Sequence, residues 1–244
     1  MFDPISHYSH ISAAILAGGL GTRLRSIVPD TQKVLAEVLK RPFLTFLLDQ
    51  LETAGIRHVV LCTGYKGEAI HKQLGDKYES LRMIYSQEDA PLGTGGALRL
   101  ALPHLNSDPV LVMNGDSYIN TDVNAFLDWF SLKDVPAAMV VARVPNTNRY
   151  GRVILDEDSR VKSFEEKGGK ADPGWINAGI YLFKNKLLEN IPRGKPYSLE
   201  QNFFPFLVAQ GFYGYPCKAD FLDIGTPVSY ADAGNFFQKI RPAG

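Results

Sequence analysis

The chain lacks the features that would place it in several large classes of protein. Its 26 Lys and Arg residues balance 26 Asp and Glu residues, and no basic block or RNA-type aromatic motif stands out. A nucleic-acid partner is therefore not expected, although a neutral total still allows a local cationic pocket. Only two cysteines occur, Cys62 and Cys217, each in an apolar context and without metal-type spacing. Buried thiols in a reducing compartment are the expectation, not a disulfide framework or a cysteine metal site. No apolar run approaches the length of a membrane span. The first ten residues, MFDPISHYSH, carry neither a basic n-region nor an apolar h-region. Internal repeats and low-complexity stretches are also missing. Together these absences predict a soluble, cytoplasmic protein without membrane or nucleic-acid partners.

What the chain does have is length and alternation. Its 244 residues, 45% hydrophobic and 21% charged, suit one large α/β domain that buries a core without staples. Apolar strand patterns at 13–17, 58–63, 83–86 and 110–114 alternate with helical patterns at 43–54, 66–74 and 94–101. Such alternation predicts right-handed βαβ units and a mainly parallel, Rossmann-like sheet flanked by helices. After about residue 136 shorter strands follow, at 137–143, 152–155, 161–165 and 175–183, as an antiparallel excursion appended to that sheet. A helical stretch at 199–209 and a strand at 212–217 come next. The last helix is expected to start at Thr226, a hydroxyl N-cap followed by Pro227. The whole of 1–244 reads as a single domain, with halves at about 1–135 and 136–244.

The most informative stretch is 13–24, AAILAGGLGTRL. A buried strand empties into a glycine-rich loop that ends in a cation. Glycine lets backbone N–H groups turn toward a ligand, and Arg adds a forked donor for phosphate oxygens. Taken alone, the loop is either a phosphate nest or a tight strand-to-helix turn. It is not a P-loop, because no GKS or GKT ends it, and it lacks the third glycine of the dinucleotide fingerprint. In parallel sheets ligands collect at the carboxyl ends of the strands. The glycine loop and Asn114-Gly115-Asp116-Ser117 both begin where a strand should end.

These residues resemble the LAGGxGTRL signature of the sugar-nucleotidyltransferases, the nucleoside-diphosphate-sugar pyrophosphorylases. The resemblance runs from residue 13 to about 233. It continues with Lys33, although the family's Pro-Lys-Pro is Gln32-Lys33-Val34 here, and with the PLGTxGAL-like segment from Pro91 to Leu98. It implies a nucleotide-binding half with Leu16, Gly18, Gly19, Gly21, Thr22, Arg23, Gln87, Glu88, Gly93 and Thr94 at the nucleotide. Gly93 to Gly95 would let the backbone approach the base. A carboxylate at Glu88 would suit the N1–H and N2–H₂ donors of guanine, so GTP is the expected donor. Thr94 also reads as an ordinary helix N-cap.

The same resemblance assigns Arg23, Lys33 and Asp116 to catalysis and Asp116 with Asp223 to Mg²⁺. Each aspartate alone also suits a turn or a cap. Tyr150-Gly151-Arg152-Val153, Phe164-Glu165-Glu166-Lys167 and Asn177-Ala178-Gly179-Ile180-Tyr181 match segments that hold the sugar phosphate. Gly151, Glu166, Lys167 and Asn177 are the residues implied. Within the family the chain is most similar to D-glycero-α-D-manno-heptose 1-phosphate guanylyltransferases, on FLxxLLDxLxxxGI, the NAGIY strand, the SLE–FFP segment and FLDIGTPxxY. The implied reaction joins an NTP and a sugar 1-phosphate into an NDP-sugar plus pyrophosphate, for surface-polysaccharide synthesis. Mannose 1-phosphate guanylyltransferase, N-acetylmuramate 1-phosphate uridylyltransferase and a non-catalytic sugar-nucleotide-binding subunit remain alternatives. The oligomeric state stays open, a homodimer being one option.

Overall fold

The computed structural model describes residues 8–19, 21, 24, 32–165 and 172–240. The first strand, β1 (Ser12–Leu16), is almost wholly buried. Two short strands, β2 (Glu37–Val38) and β3 (Arg41–Pro42), pair with each other before helix α1 (Phe43–Thr53). Strand β4 (His58–Thr63), helix α2 (Gly67–Leu74), the short β5 (Lys77–Tyr78) and β6 (Leu81–Gln87) follow. Helix α3 (Gly93–Ala101) then leads to β7 (Val110–Asn114) and β8 (Ser117–Ile119). Strands β7, β1, β4 and β6 lie side by side in that order, all parallel. The chain runs outward from β1 through β4 to β6 and then returns to the other side of β1 as β7. That reversal of direction opens a crevice at the carboxyl ends of β1 and β7, where α/β sheets collect ligands.

The second half extends the same sheet. Helix α4 (Val123–Lys133) precedes β9 (Ala137–Val144), the hairpin strands β10 (Arg152–Leu155) and β11 (Val161–Glu165), and the long β12 (Gly174–Phe183). Strand β12 pairs antiparallel with β7 on one side and with β9 on the other. Helix α5 (Asn185–Leu188), a π-helical turn at Leu199–Phe203, helix α6 (Phe204–Gln210) and β13 (Phe212–Cys217) follow, with β13 parallel to β9. The antiparallel strands are thus continuous with the parallel ones, because β12 hydrogen-bonds directly to β7. Strand β14 (Phe221–Asp223) pairs with β8, and helices α7 (Pro227–Ala231) and α8 (Ala233–Ile240) close the described chain.

Alternation along the strands divides the core between the two faces of the sheet. Ala13 and Ile15 of β1 face a cluster completed by α1, α4 and α8, while Ala14 faces one built from α3, the π turn and α6. Helix α4 was not anticipated, although its signals are in the chain. Val123, Phe126, Leu127 and Phe130 form a buried stripe, and Asp122 accepts from the backbone N–H groups of Asn124 and Ala125. Thr226 does cap the C-terminal helix, in a reciprocal box with Ser229, but the helix breaks at Asp232 and resumes as α8. The strongest aromatic packing holds α8 in place. Phe237 is 1% exposed, stacks on Phe46 at 3.8 Å between centroids, and meets Tyr118 edge-on at 4.9 Å. Phe237→Ala is expected to cost about 3–5 kcal/mol in urea unfolding. Leu132→Ala, at an 87% exposed position, should stay within about 0.5 kcal/mol of the parent.

Candidate active site

The crevice at the end of β1 holds a cavity of about 330 Å³. Leu16, Gly18, Gly19, Glu88, Gly93, Thr94 and Asp116, all anticipated, line it. Cys62, Pro91, Ala97, Asn114 and Glu200 complete the wall. A close contact between strand ends brings the glycine loop to Asp116. The Gly115 N–H donates to the Leu16 carbonyl at 2.9 Å, and a Cβ on Gly115 would stand 2.7 Å from that oxygen. Only glycine allows the two strands to meet so closely. At Gly19 an added Cβ would meet nothing within 4 Å, so that part of the loop is open. Gly21 has φ +60° and passes over Lys33, whose Cβ lies 3.2 Å from the position of an added Cβ. Thr22 and Arg23 lie outside the described residues.

Lys33 begins a single 3-10 turn and extends its ammonium to Asp116 at 2.6 Å. Its side chain is only 11% exposed against 47% for Asp116, so the aspartate compensates a largely buried cation. The Asp116 carbonyl accepts from the Ile224 N–H at 3.0 Å, and Ser117 pairs with Asp223 across β8 and β14. Two carboxylate-bearing residues from distant parts of the chain thereby become backbone neighbours. Asp223 accepts from Arg149 at 3.0 Å and from the Gly225 N–H at 2.9 Å. Arg149 also lies over the Tyr150 ring. Burial, followed by the adjacent Asp223 carboxylate, pushes the Tyr150 phenol up to about 12.

Glu88 lines the same cavity. One carboxylate oxygen accepts from the Leu92 N–H at 2.9 Å, and the other abuts Gly18 and Gly64, where side chains would collide with it. Burial raises its pKa above the usual carboxyl value, against a smaller opposing effect of the Leu92 N–H. Gln87 is exposed, does not line the cavity and carries its amide beside Gly67. At the floor, burial pushes the Cys62 thiol up to about 12, which leaves it an inert wall.

The glycines after Pro91 also have a use within the chain itself. The N–H groups of Gly95 and Gly96 both bind the Tyr197 carbonyl, at 2.9 and 3.0 Å. Side chains at Gly93, Gly95 and Gly96 would collide with residues 195–197 or Leu92. They admit another piece of chain, while Gly93 also lines the cavity. Thr94 is not the N-cap either, since Leu92 occupies that position and the helix begins at Gly93. Its hydroxyl accepts from the Leu199 N–H at 2.9 Å and donates to Glu200 at 3.0 Å.

A second cavity, of about 690 Å³, opens beside the first. Tyr150, Gly151, Phe164, Asn177 and Ser198 help line it, and Glu200 belongs to both. Gly151 has φ +74°, a left-handed conformation that favours glycine. The Asn177 amide is engaged, donating to the Tyr181 hydroxyl at 2.9 Å and accepting from the Gly179 N–H at 2.9 Å. Asn114 donates to the same hydroxyl, while its own carbonyl oxygen is buried without a partner among the described residues. Glu166 and Lys167 lie outside the described residues. Among the described residues no group of three or more His, Cys, Asp or Glu side chains gathers as a metal site. Two hard carboxylate donors nonetheless suit a divalent cation that takes its other ligands from phosphate oxygens and water.

The motifs missed three residues that the folded chain brings in: Asn114, Arg149 and Glu200. Asn114 ends a strand directly before the Gly-Asp pair, and that position was the available signal.

Comparison with known proteins agrees with this geometry. A D-glycero-α-D-manno-heptose 1-phosphate guanylyltransferase from Aneurinibacillus thermoaerophilus is 36% identical over 224 residues, 91% of this chain and 96% of the relative. A mannose-1-phosphate guanylyltransferase from Mycobacterium tuberculosis is 35% identical over 96% of this chain, which spans 66% of that relative's length. The crystal structure of HddC from Yersinia pseudotuberculosis complexed with GMP-PN has a TM-score of 0.83 at 34% identity. That alignment covers 93% of this chain and 99% of HddC. The nucleotidyl transferase family matches residues 12–240, from β1 to the end of α8. The chain belongs to the nucleotidyl transferase family.

Proposed function

We propose that the protein transfers the guanylyl group of GTP to a sugar 1-phosphate of manno configuration, releasing pyrophosphate. D-glycero-α-D-manno-heptose 1-phosphate is the first acceptor to consider and mannose 1-phosphate the second, because relatives of both kinds match at near-equal identity. The observation that carries this reading is the set of polar groups that the first cavity gathers. The half-buried Glu88 carboxylate and Asp116, which pairs with Lys33, both line it, beside the glycine loop at Gly18 and Gly19. A nucleotide held there sets its guanine at Glu88 and its phosphates toward Lys33 and the loop.

In this arrangement an oxygen of the sugar phosphate attacks the α-phosphorus in line with the departing pyrophosphate. The nucleophile is already anionic, so no side-chain base is needed, and the work is positioning and charge neutralisation. Lys33 holds the α-phosphate or the incoming phosphate, and Arg23 of the glycine loop, by the motif alone, stabilises the leaving group. Asp116 and Asp223 would hold a Mg²⁺, which when bound supplies charge neutralisation across the phosphates. Arg149 then has to release Asp223, to which it is now paired. Gly151 and Asn177, with Glu166 and Lys167 by motif, receive the sugar phosphate.

Pyrophosphate release measured with five NTPs against heptose, mannose and muramate 1-phosphates tests the reading. GTP with a manno-configured acceptor should be at least ten-fold faster than any other pair. Turnover with UTP and the muramate phosphate alone would overturn the substrate assignment. Asp116→Asn keeps a hydrogen-bond acceptor for Lys33 but loses the charge, and should cut turnover by at least 100-fold with a smaller drop in thermal melt than Asp116→Ala. Asp116→Ala would leave an uncompensated buried ammonium and so confound catalysis with stability.

Glu88→Gln has two expected readouts. A carboxylate accepts from both guanine donors, whereas an amide cannot accept with both of its atoms, so preference for GTP over ATP should fall about ten-fold or more. Stability should change in a pH-dependent way. A carboxyl whose pKa is raised in the folded state contributes fully below its unfolded value near 4.5, and that contribution fades as pH rises through the raised value. The Gln variant should therefore melt above the parent at pH 8, with the difference vanishing toward pH 4.5.

A further inference from the structure

The Ser198-Leu199-Glu200 segment supplies wall to both cavities. Ser198 caps the π-helical turn with its hydroxyl accepting from the Gln201 N–H. The Phe203 N–H reaches back to the Ser198 carbonyl at 3.2 Å, the five-residue spacing that defines a π turn. Such turns are rare and concentrate at functional sites. This one presents Glu200 at the boundary, so its side chain lines the nucleotide cavity and the sugar cavity together.

The carboxylate is also oriented. Its Oε2 accepts from the Thr94 hydroxyl and from the Ser198 hydroxyl, both at 3.0 Å. Thr94 is itself fixed by the Leu199 N–H, so the three side chains lock one another. Among the described residues no donor meets Oε1. An ionised carboxylate with one oxygen pinned by two hydroxyls and the other open is a directed acceptor. It can take a hydrogen bond from a ligand hydroxyl with little loss of side-chain freedom.

We infer that Glu200 reads the 2-hydroxyl of the acceptor sugar. The inference rests on the proposed reaction. A sugar 1-phosphate bound across the two cavities has its phosphate at their junction, beside the α-phosphate of the nucleotide. The hydroxyl-bearing ring carbon next to the anomeric centre is C2, and its hydroxyl is therefore the one nearest the dividing wall. In a manno sugar this hydroxyl is axial, and mannose and the heptose share it. Glu200 is thus a specificity-determining residue that selects the manno configuration, leaving the far end of the sugar to the residues around Gly151.

A substrate cycle tests this directly. Wild-type protein and Glu200→Gln are compared by kcat/KM on mannose 1-phosphate and on its 2-deoxy analogue, with GTP as donor. Loss of a hydrogen bond to a charged group corresponds to about 10- to 100-fold, so wild type should lose that much on the 2-deoxy sugar. The variant should lose no more than about three-fold on the same change. Discrimination between mannose and glucose 1-phosphates should collapse in parallel, while melting temperature and the KM for GTP stay near wild type.

Equal 2-deoxy penalties in both proteins overturn the inference and leave the guanylyltransfer reading standing. A parallel arm with 2′-deoxy-GTP addresses the ribose. Coupling of Glu200 to the 2′-hydroxyl instead would overturn the inference in favour of donor recognition. No turnover of any sugar 1-phosphate by wild type would overturn the proposed function, and this inference with it. Thr94→Val, which removes one of the two hydroxyls that hold the carboxylate, should lie between wild type and Glu200→Gln in the same cycle.

Discussion

The contact between the Gly115 N–H and the Leu16 carbonyl governs the whole site. Parallel strands β1 and β7 run in register to Leu16 and Asn114 and would normally diverge as each chain turns away from the sheet. The hydrogen bond between Leu16 and Gly115 holds them together for one residue more. The phosphate-type loop leaves from one strand end and Asp116 from the other, so their separation is set by backbone and not by side-chain packing. Backbone is the stiffer element, and a site that must hold reacting atoms within a fraction of an ångström gains from it. The absent Cβ at residue 115 is what permits the contact.

Charge in the site is arranged as two compensated pairs, Lys33 with Asp116 and Arg149 with Asp223. Neither pair is a strong source of stability, since ion pairs near solvent gain little and buried ones lose much of their attraction to desolvation. Their value lies in exchange. A triphosphate with a divalent cation brings both signs of charge, so its phosphates can take the lysine and arginine while the cation takes the carboxylates. Lys33 and Arg149 then each keep a counter-charge, loaded or empty. Arg149 adjoins Tyr150 and Gly151 of the second cavity, so in the proposed reaction the same exchange reaches the acceptor side.

Much of this was legible in the chain because local rules carried it. Alternating strand and helix patterns gave the parallel β1–β4–β6–β7 core, and the strand-ending motifs fell on one edge as parallel topology requires. Helix α4 carried a readable cap and stripe that were passed over. The long-range pairings were not readable in the same way. Nothing local says that β12 joins β7, or that Ser117 and Asp223 are partners across 106 residues of sequence. The Gly93–Gly96 run shows the limit most clearly. A glycine announces that something approaches the backbone, but the sequence does not say whether the visitor is a ligand or another part of the chain. Here it is the Tyr197 carbonyl.

The packing of these glycines also bears on how specificity is divided. By seating residues 195–197 against α3, they fix the Thr94 hydroxyl beside the π turn and hold a carboxylate at the boundary of the two cavities. In the proposed reaction the base falls to Glu88, a half-buried carboxylate whose bond from the Leu92 N–H leaves acceptor capacity for the guanine donors. In the proposed reaction each substrate is faced by one carboxylate held by its neighbours, the Leu92 N–H for Glu88 and the Thr94 and Ser198 hydroxyls for Glu200. A site built this way discriminates through hydrogen-bond donors on its ligands, and the glycine loop, common to any triphosphate, adds affinity without choice.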